Sequence, residues 1–418
     1  MITPSIHKSP WRIAPALLCL ILLLPNISPA ATQIHGAKAA GMGSAFVAVA
    51  DDPSAIAYNP AGLTRSKGTN VYAGGTAVIL SSEYTSPSGE SEESKFQVFF
   101  PPHLYLTSDF GMQNKTVGLG IYSPFGIGGR KWSEGGLTRY ASTDFLIATL
   151  NIHPTFAWEI TPGLSVGFGV LYLYAINDSE RMVDQSALGA EDGKLSVEVD
   201  GGGWGYSLGV LVGPFKRFSF GLAYRSGVKV DQRGKLKLKR IAPGLQPLFG
   251  GSQFKTDVDT DLDFPQIVSF GIAYKPSTKL TLALDAEWIG WSSFDEQKLD
   301  LEDEVPGAGI SDSTIELDWN DVWTVKAGLE YRITDAVALR TGYTYVETPV
   351  PEETLSPAYP DADQHMINVG FGYQVNKWVA DLFYTVSFFE ERKVNNSILS
   401  GKYESIMHLI GFSFGYRF

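Results

Sequence analysis

Cysteine is nearly missing from this 418-residue sequence: Cys19 is the only one. It lies inside an apolar stretch with the look of a removable leader, so the working chain is expected to carry none. Disulfides and thiolate metal sites are thereby excluded, even in an oxidising compartment. Charge is also sparse. Lys, Arg, Asp and Glu make up 19% of the residues, against about 25% in an ordinary soluble protein. The net charge of −12 argues against nucleic acid as a partner. Beyond the first thirty residues no apolar run is long enough for a transmembrane helix. His35, His103, His153, His365 and His408 are too scattered to show zinc spacing. Gly201-Gly202-Gly203 lacks the strand-to-helix setting of a phosphate loop. No metal and no cofactor is expected.

The first thirty residues read as an export signal. Lys8 and Arg12 are its basic start, Ala14 to Leu24 its apolar stretch, and Ser28-Pro29-Ala30 offers small residues for cleavage after Ala30. The apolar stretch is too short to span about 30 Å of hydrocarbon.

What the chain has in quantity is alternation. From Ile406 to Phe418 the even positions are Ile406, His408, Ile410, Phe412, Phe414, Tyr416 and Phe418, while the odd ones are mostly small or polar. Successive side chains on a strand point to opposite faces, so one face is greasy and needs a core or lipid to cover it. Leu280–Trp288, Leu164–Tyr172, Val337–Tyr345, Phe218–Tyr224, Val268–Tyr274, Ile367–Tyr373 and Trp378–Phe388 repeat the pattern. Short connections (Thr161–Gly163, Gly213–Lys216, Lys275–Lys279, Thr334-Asp335, Asn376-Lys377) alternate with longer polar ones near Asn177–Leu195, Lys239–Thr256, Asp295–Thr314, Glu347–Asp363 and Glu390–Gly401. Short periplasmic turns and long external loops produce that rhythm; a soluble sandwich has no reason to. The expectation is an all-β chain: a transmembrane antiparallel barrel of about 14 strands, closed because lipid cannot pair a free sheet edge. The organisation expected is a signal peptide over 1–30, an N-terminal plug over 31–69 and the barrel over 70–418.

The plug segment does not alternate. Asp52 is placed to cap a short helix with Pro53 at its first position, running Ala55–Tyr58 and closed by Asn59-Pro60. Together, Gly41-Met42-Gly43-Ser44-Ala45, Ala50-Asp51-Asp52 and Tyr58-Asn59-Pro60-Ala61-Gly62-Leu63 resemble the start of the FadL family, outer-membrane channels for long-chain fatty acids and other hydrophobic compounds. A second resemblance runs from Thr348-Pro349-Val350-Pro351 through Pro360 to His365. The resemblance implies a 14-stranded barrel with an N-terminal hatch that uses Asp51, Asp52, Asn59, Pro60 and Ala61. It also implies outer capture of a hydrophobic ligand, an internal pocket, and sideways release into the bilayer through a distorted third strand. Partners would be a hydrophobic small molecule and outer-membrane lipid and lipopolysaccharide, with the chain a monomer.

The residues give partial, independent support. The third strand carries Gly118, Gly120, Pro124 and Gly126, and a proline in a closed barrel must sit at a bulge or break, or else just past the strand in the loop. Phe125–Phe145 is read as the third external loop, unusually apolar through Phe125, Trp132, Leu137 and Phe145; membrane anchoring by Trp132 and Tyr140 is the alternative. Inward positions Leu171 and Phe383 are apolar, suited to an acyl chain or to packing on the plug. Arg181, Lys326 and Arg340 are candidate partners for a carboxylate, or members of a lumen charge network. Where the resemblance would place a pocket lysine stands Asn320, which leaves room for an uncharged ligand. Asp257, Asp259, Asp261 and Asp263 share one strand face and fit either a solvated loop base or Ca²⁺. No enzyme is expected, since no motif places a nucleophile beside a base; a polar porin is the other rival, discriminated by passage of sugars.

Overall fold

The alternating segments pair into a single closed sheet. The computed structural model of the protein describes residues 34–418; the export signal, its cleavage after Ala30 and Cys19 lie outside the described residues. Fourteen antiparallel strands form a barrel. β1 is Thr69–Thr85 and β2 is broken into Ser91–Glu93, Val98–Phe99 and Pro102–Ser108. β3 comprises Lys115–Tyr122 and Ile127–Lys131. β4 (Asp144–Thr161), β5 (Leu164–Val183) and β6 (Gly193–Phe215) are long and continuous. β7 (Phe218–Arg225, Val228–Lys239), β8 (Gln253–Phe264, Ile267–Tyr274), β9 (Leu280–Ile289, Glu296–Leu301) and β10 (Ser313–Glu316, Val322–Arg332) are each interrupted once. β11 (Val337–Val346), β12 (Gln364–Val375), β13 (Trp378–Phe389, with Arg392–Val394) and β14 (Gly401–Arg417) complete the sheet. Closure runs from Asn70↔Arg417 to Thr85↔Lys402, so the first and last strands leave no free edge.

The outer surface records where lipid begins and ends. Below the interruptions of β7 to β10, outward side chains are apolar and exposed: Leu222, Phe270, Leu284 and Val325. Tyr206, Trp323 and Tyr343 stand exposed near the upper boundary, as an interfacial aromatic girdle requires. Above it the outward residues are charged and zipped across strands. Lys229 meets Asp261 at 2.7 Å, Arg233 meets Asp259 at 3.6 Å, and Lys235 pairs with Asp257. β5 and β6 pair up to Val183↔Gly193, so strand replaces both ends of the loop expected at Asn177–Leu195, whereas β7 and β8 pair up to Lys239↔Gln253, close to the loop expected at Lys239–Thr256. The aspartate row is thus part of a cross-strand ion ladder: Asp257, Asp259 and Asp261 are ion-paired, and Asp263 lies opposite Lys229, whose ammonium turns to Asp261.

Inside, two cores fill the barrel. Towards the outside, inward residues such as Val230, Leu262, Phe264 and Leu299 pack with Trp291, Phe294 and Trp319 and with Leu355 and Tyr359 of the loop after β11. Towards the periplasm the lumen holds residues 34–68. Helix α1 (Ala37–Gly41), helix α2 (Ala55–Tyr58) and a 3-10 helix (Pro60–Arg65) are nearly all buried. Asp52 Oδ1 accepts from the Ser54 amide at 2.7 Å in a turn ahead of α2, but the helix begins later than expected, with Ser54 rather than Asp52 at its N-cap and no side-chain cap bond.

Candidate functional site

The N-terminal segment is seated by backbone contacts that demand small residues on the wall. Asn59 donates from Nδ2 to Val47 O (2.9 Å) and to Val210 O on β6 (3.0 Å), while its Oδ1 accepts from the Ala61 amide (3.1 Å). A Cβ at Gly209 would overlap Asn59 Oδ1, and one at Gly167 would overlap the Pro60-Ala61 peptide. The same close approach recurs at Gly221, Gly328 and Gly342, where Val47, Met42 and Gly43 lie against the wall. This inward glycine series was not singled out from sequence. Its signal is glycine recurring at inward positions of successive strands.

Charges below and beside the segment are paired. Lys326 is fully buried with Nζ 2.6 Å from Glu287. Arg340 bridges Glu330 (2.8 Å) and Asp381 (2.6 Å), and Tyr72 also donates to Asp381 (2.9 Å). Lys38 of α1 meets Asp51 at 2.6 Å, and Asp285 accepts from the Phe46 and Val47 amides. Lys326 and Arg340 therefore belong to the lumen charge network. Arg181 is buried on β5 opposite Leu195, in the outer apolar core. Asn320 is exposed between the two pieces of β10, away from any pocket.

The third strand is broken at Ser123–Gly126. These four residues stand opposite only Thr149 and Leu150 of β4, because Tyr122 pairs with Asn151 and Ile127 with Ala148. The excess of two residues is a bulge that bends the strand. Four of its backbone groups are satisfied locally: Gly126 N donates to Ser123 O (3.3 Å), Thr149 N to Gly126 O (3.1 Å) and Phe125 N to Thr149 Oγ1 (3.2 Å). Gly126 takes φ +79°, a conformation glycine tolerates without strain.

The break opens the sheet on one side. β2 and β3 pair from Ser108↔Val117 to His103↔Tyr122 and no further. The next backbone bond between them is Lys95 N to Lys131 O (2.7 Å). Between these points Pro101, Pro102 and Pro124 carry no N–H, so the gap exposes three fewer backbone donors to lipid than it would with other residues there. Phe96, Val98 and Phe100 are exposed along its rim. Pro101-Pro102 is the sequence signal for the facing side of the gap.

Directly behind the gap lies a cavity of about 100 Å³. Val78, Leu80, Ile147, Met407, Leu409 and Phe125 supply its apolar wall, and Ile34, at the start of the described chain, closes it below. Among the described residues Arg130 is the sole charged one lining it. Of the other expected ligand contacts, Phe383 packs on Ala37 and Ala40 beside Met407 and Leu409. Phe145 stacks edge-on against Tyr359 (4.3 Å), and Trp132 is buried with Nε1 donating to Pro357 O (2.9 Å). Leu171 and Leu137 sit in the outer core. The apolar stretch expected as one external loop is thus split. Ile127–Lys131 is strand, Trp132 and Phe145 pack under the loop after β11, and Tyr140 donates to Asp192 in the loop between β5 and β6, so Trp132 is no lipid anchor. Gly118 and Gly120 lie below the break, each against Ile56 of α2.

Two Ser–His pairs stand in the lumen among the described residues: His103 Nε2 is 2.8 Å from Ser413 Oγ, and His153 Nε2 is 2.8 Å from Ser207 Oγ, with the Nδ1 of His153 2.9 Å from Tyr122 OH. Arg225 donates to that tyrosine (3.1 Å). All of these are buried, and beside His153 a tyrosine held by a cation stands where a triad would place a carboxylate.

Comparison with known proteins matches residues 22–418 to the family model described as outer membrane protein transport protein (OMPP1/FadL/TodX). The long-chain fatty acid transport protein of Escherichia coli K12 is 23% identical over 92% of this chain and 94% of its own length. Outer membrane protein P1 of Haemophilus influenzae is 22% identical over 85% of each. Among solved structures, a Pseudomonas aeruginosa FadL homologue superposes with a TM-score of 0.80 at 19% identity, covering 95% of this chain and 99% of that one. The Pseudomonas putida toluene transporter TodX gives 0.73 at 17%, covering 92% and 99%.

Proposed function

Because this chain belongs to the OMPP1/FadL/TodX family, and is thus an outer-membrane transporter of hydrophobic compounds, we propose that it passes them sideways into the bilayer through the gap between β2 and β3. The observation that carries this is the juxtaposition of the gap with the apolar cavity behind it. A ligand captured among the outer loops reaches the cavity, gains about 0.8 kcal/mol per CH₂ removed from water, and then exchanges one apolar surface for another as it enters lipid. No energy source is needed, because the step from water to lipid is downhill throughout. Residues 34–68 act as a hatch: they close the axial route to the periplasm, and Ile34 ties their start to the cavity floor.

The substrate proposed is a long-chain fatty acid, the ligand class printed in the names of the Escherichia coli relatives. A second reading, small uncharged hydrocarbons, is favoured by the size of the cavity. About 100 Å³ is less than the roughly 150 Å³ apolar cavity known to hold benzene, so a long chain fits only with its tail extending into the gap. Uptake of labelled oleate and of toluene by cells lacking their own transporters of this kind, with and without this chain, tests both. Uptake of neither would sink the proposal, and sugar passage at porin rates would replace it with a general pore. Catalysis forms no part of the proposed role.

A further inference from the structure

We infer that Arg130 is the specificity-determining residue of the cavity, holding the anionic head of an amphiphile while the tail lies in the gap. The inference rests on the proposed route for hydrophobic compounds and names the residue that sorts them by charge.

Arg130 points inward from the upper piece of β3 and is 3% exposed. Its Nε donates to Ser82 Oγ on β1 (2.7 Å) and its Nη1 to Gly129 O (3.1 Å). Those bonds use two of the five guanidinium donors. Ser82 is itself fixed, with its Oγ 2.7 Å from Ser405 Oγ and its amide donating to Ser94 Oγ at 2.9 Å, so the guanidinium is held in place before any ligand arrives. Lys38, Lys326 and Arg340 each have a carboxylate at 2.6 Å to 2.8 Å. Arg130 has none within ion-pair distance among the described residues. The acid that acts on it from further off is Asp361, which already accepts a 2.6 Å bond from Thr348 Oγ1. A buried guanidinium without an adjacent anion is costly, and a carboxylate placed beside it relieves that cost through charge-assisted bonds. A hydrocarbon offers no such relief.

The direction also fits. β3 rises towards the outside, so Arg130 lies at the upper end of the gap, with Val78, Leu80, Met407 and Leu409 lining the cavity it caps. An acid held there has its head towards the outer surface and its tail in the hydrocarbon, the orientation an amphiphile takes in an outer leaflet.

The test compares oleate with oleyl alcohol, which share a tail and differ in the head. Binding is measured on folded full-length protein in detergent, with heat-modifiable gel mobility confirming the barrel. Arg130→Gln is expected to weaken oleate by about 10- to 100-fold and oleyl alcohol by less than about 2-fold, with Arg130→Lys in between. Arg139→Gln, the same charge change in an outer loop, is expected to leave the preference intact. Equal weakening of both ligands by Arg130→Gln, or no weakening of oleate, overturns the assignment while leaving the route standing. Failure of the unaltered protein to bind either ligand overturns both. If Arg130→Gln does not fold, Arg130→Lys decides: weakening of oleate beyond that of oleyl alcohol supports the assignment, and an equal change in both ligands, or none, refutes it.

Discussion

Deleting Pro124 and Phe125 together should seal the barrel wall. Tyr122 then pairs with Asn151, Ser123 with Leu150, Gly126 with Thr149 and Ile127 with Ala148, so the register closes without flipping any side chain, because two residues restore the same face. The straightened β3 can then bond to β2 across the stretch between His103 and Lys95. Prolines at 101 and 102 limit the new ladder to roughly three bonds, about 1 kcal/mol each. Against this stands the loss of Phe125, whose ring packs 4.7 Å from Phe264 and 5.9 Å from Trp291; emptying such a site costs about 3–5 kcal/mol. The two effects offset, and net stability should change little. Uptake should nevertheless fall to the level of cells without the protein. The assay is labelled-ligand uptake in cells, paired with heat-modifiable mobility to show that the deleted form is inserted and folded. A folded deletion variant with undiminished uptake would refute the reasoning.

Other changes test the supporting parts. Gly209→Val places side-chain atoms where Asn59 Oδ1 now lies, so residues 34–68 should become protease-accessible and small polar antibiotics should leak in; resistance to both would count against the hatch. Lys326→Met leaves Glu287 buried without its partner, at a cost of about 3–5 kcal/mol, while Lys326→Met combined with Glu287→Leu should recover most of it; equal denaturation midpoints for the single and double variants would contradict this. Asp361 lies in the loop after β11, and burial pushes its carboxyl up to about 6, opposed by the Thr348 bond and by Arg392 and Arg130. The native form therefore holds a proton that the unfolded chain has lost, and stability is greatest at low pH and falls as pH rises towards and through 6. Hydrogen exchange of residues 347–363, corrected for intrinsic rates, should show more protection at pH 5 than at pH 7.5, and Asp361→Asn should abolish the difference.

The barrel was legible because lipid and lumen impose opposite demands on successive residues. Leu280 to Trp288 could be placed from alternation alone, and its strand starts where the pattern does. The upper ends of β5 and β6 were not legible as strands: Asn177–Val183 and Gly193–Leu195 read as loop until their cross-strand pairing is seen. The short helix at Ala55–Tyr58 was legible, with its cap misplaced from Ser54 to Asp52, whereas its seat was not, since Gly209 and Asn59 lie 150 residues apart and meet only in three dimensions. Pro124 marked a break correctly placed within the third strand. Arg130 was hidden because nothing local distinguishes an unpaired buried arginine from Lys326 or Arg340, whose carboxylates come from neighbouring strands.

Sideways release is tested most directly by mapping where a ligand lies as it leaves. An oleate carrying a photoreactive diazirine at its tail can be loaded onto the protein in outer-membrane vesicles, irradiated, and its adducts located by mass spectrometry. Adducts should concentrate on Phe99–Pro101 and Phe125–Gly128, the two rims of the gap. Adducts confined to the periplasmic mouth, at Asp52, Asn70 or Lys377, would show passage along the barrel axis and contradict the account.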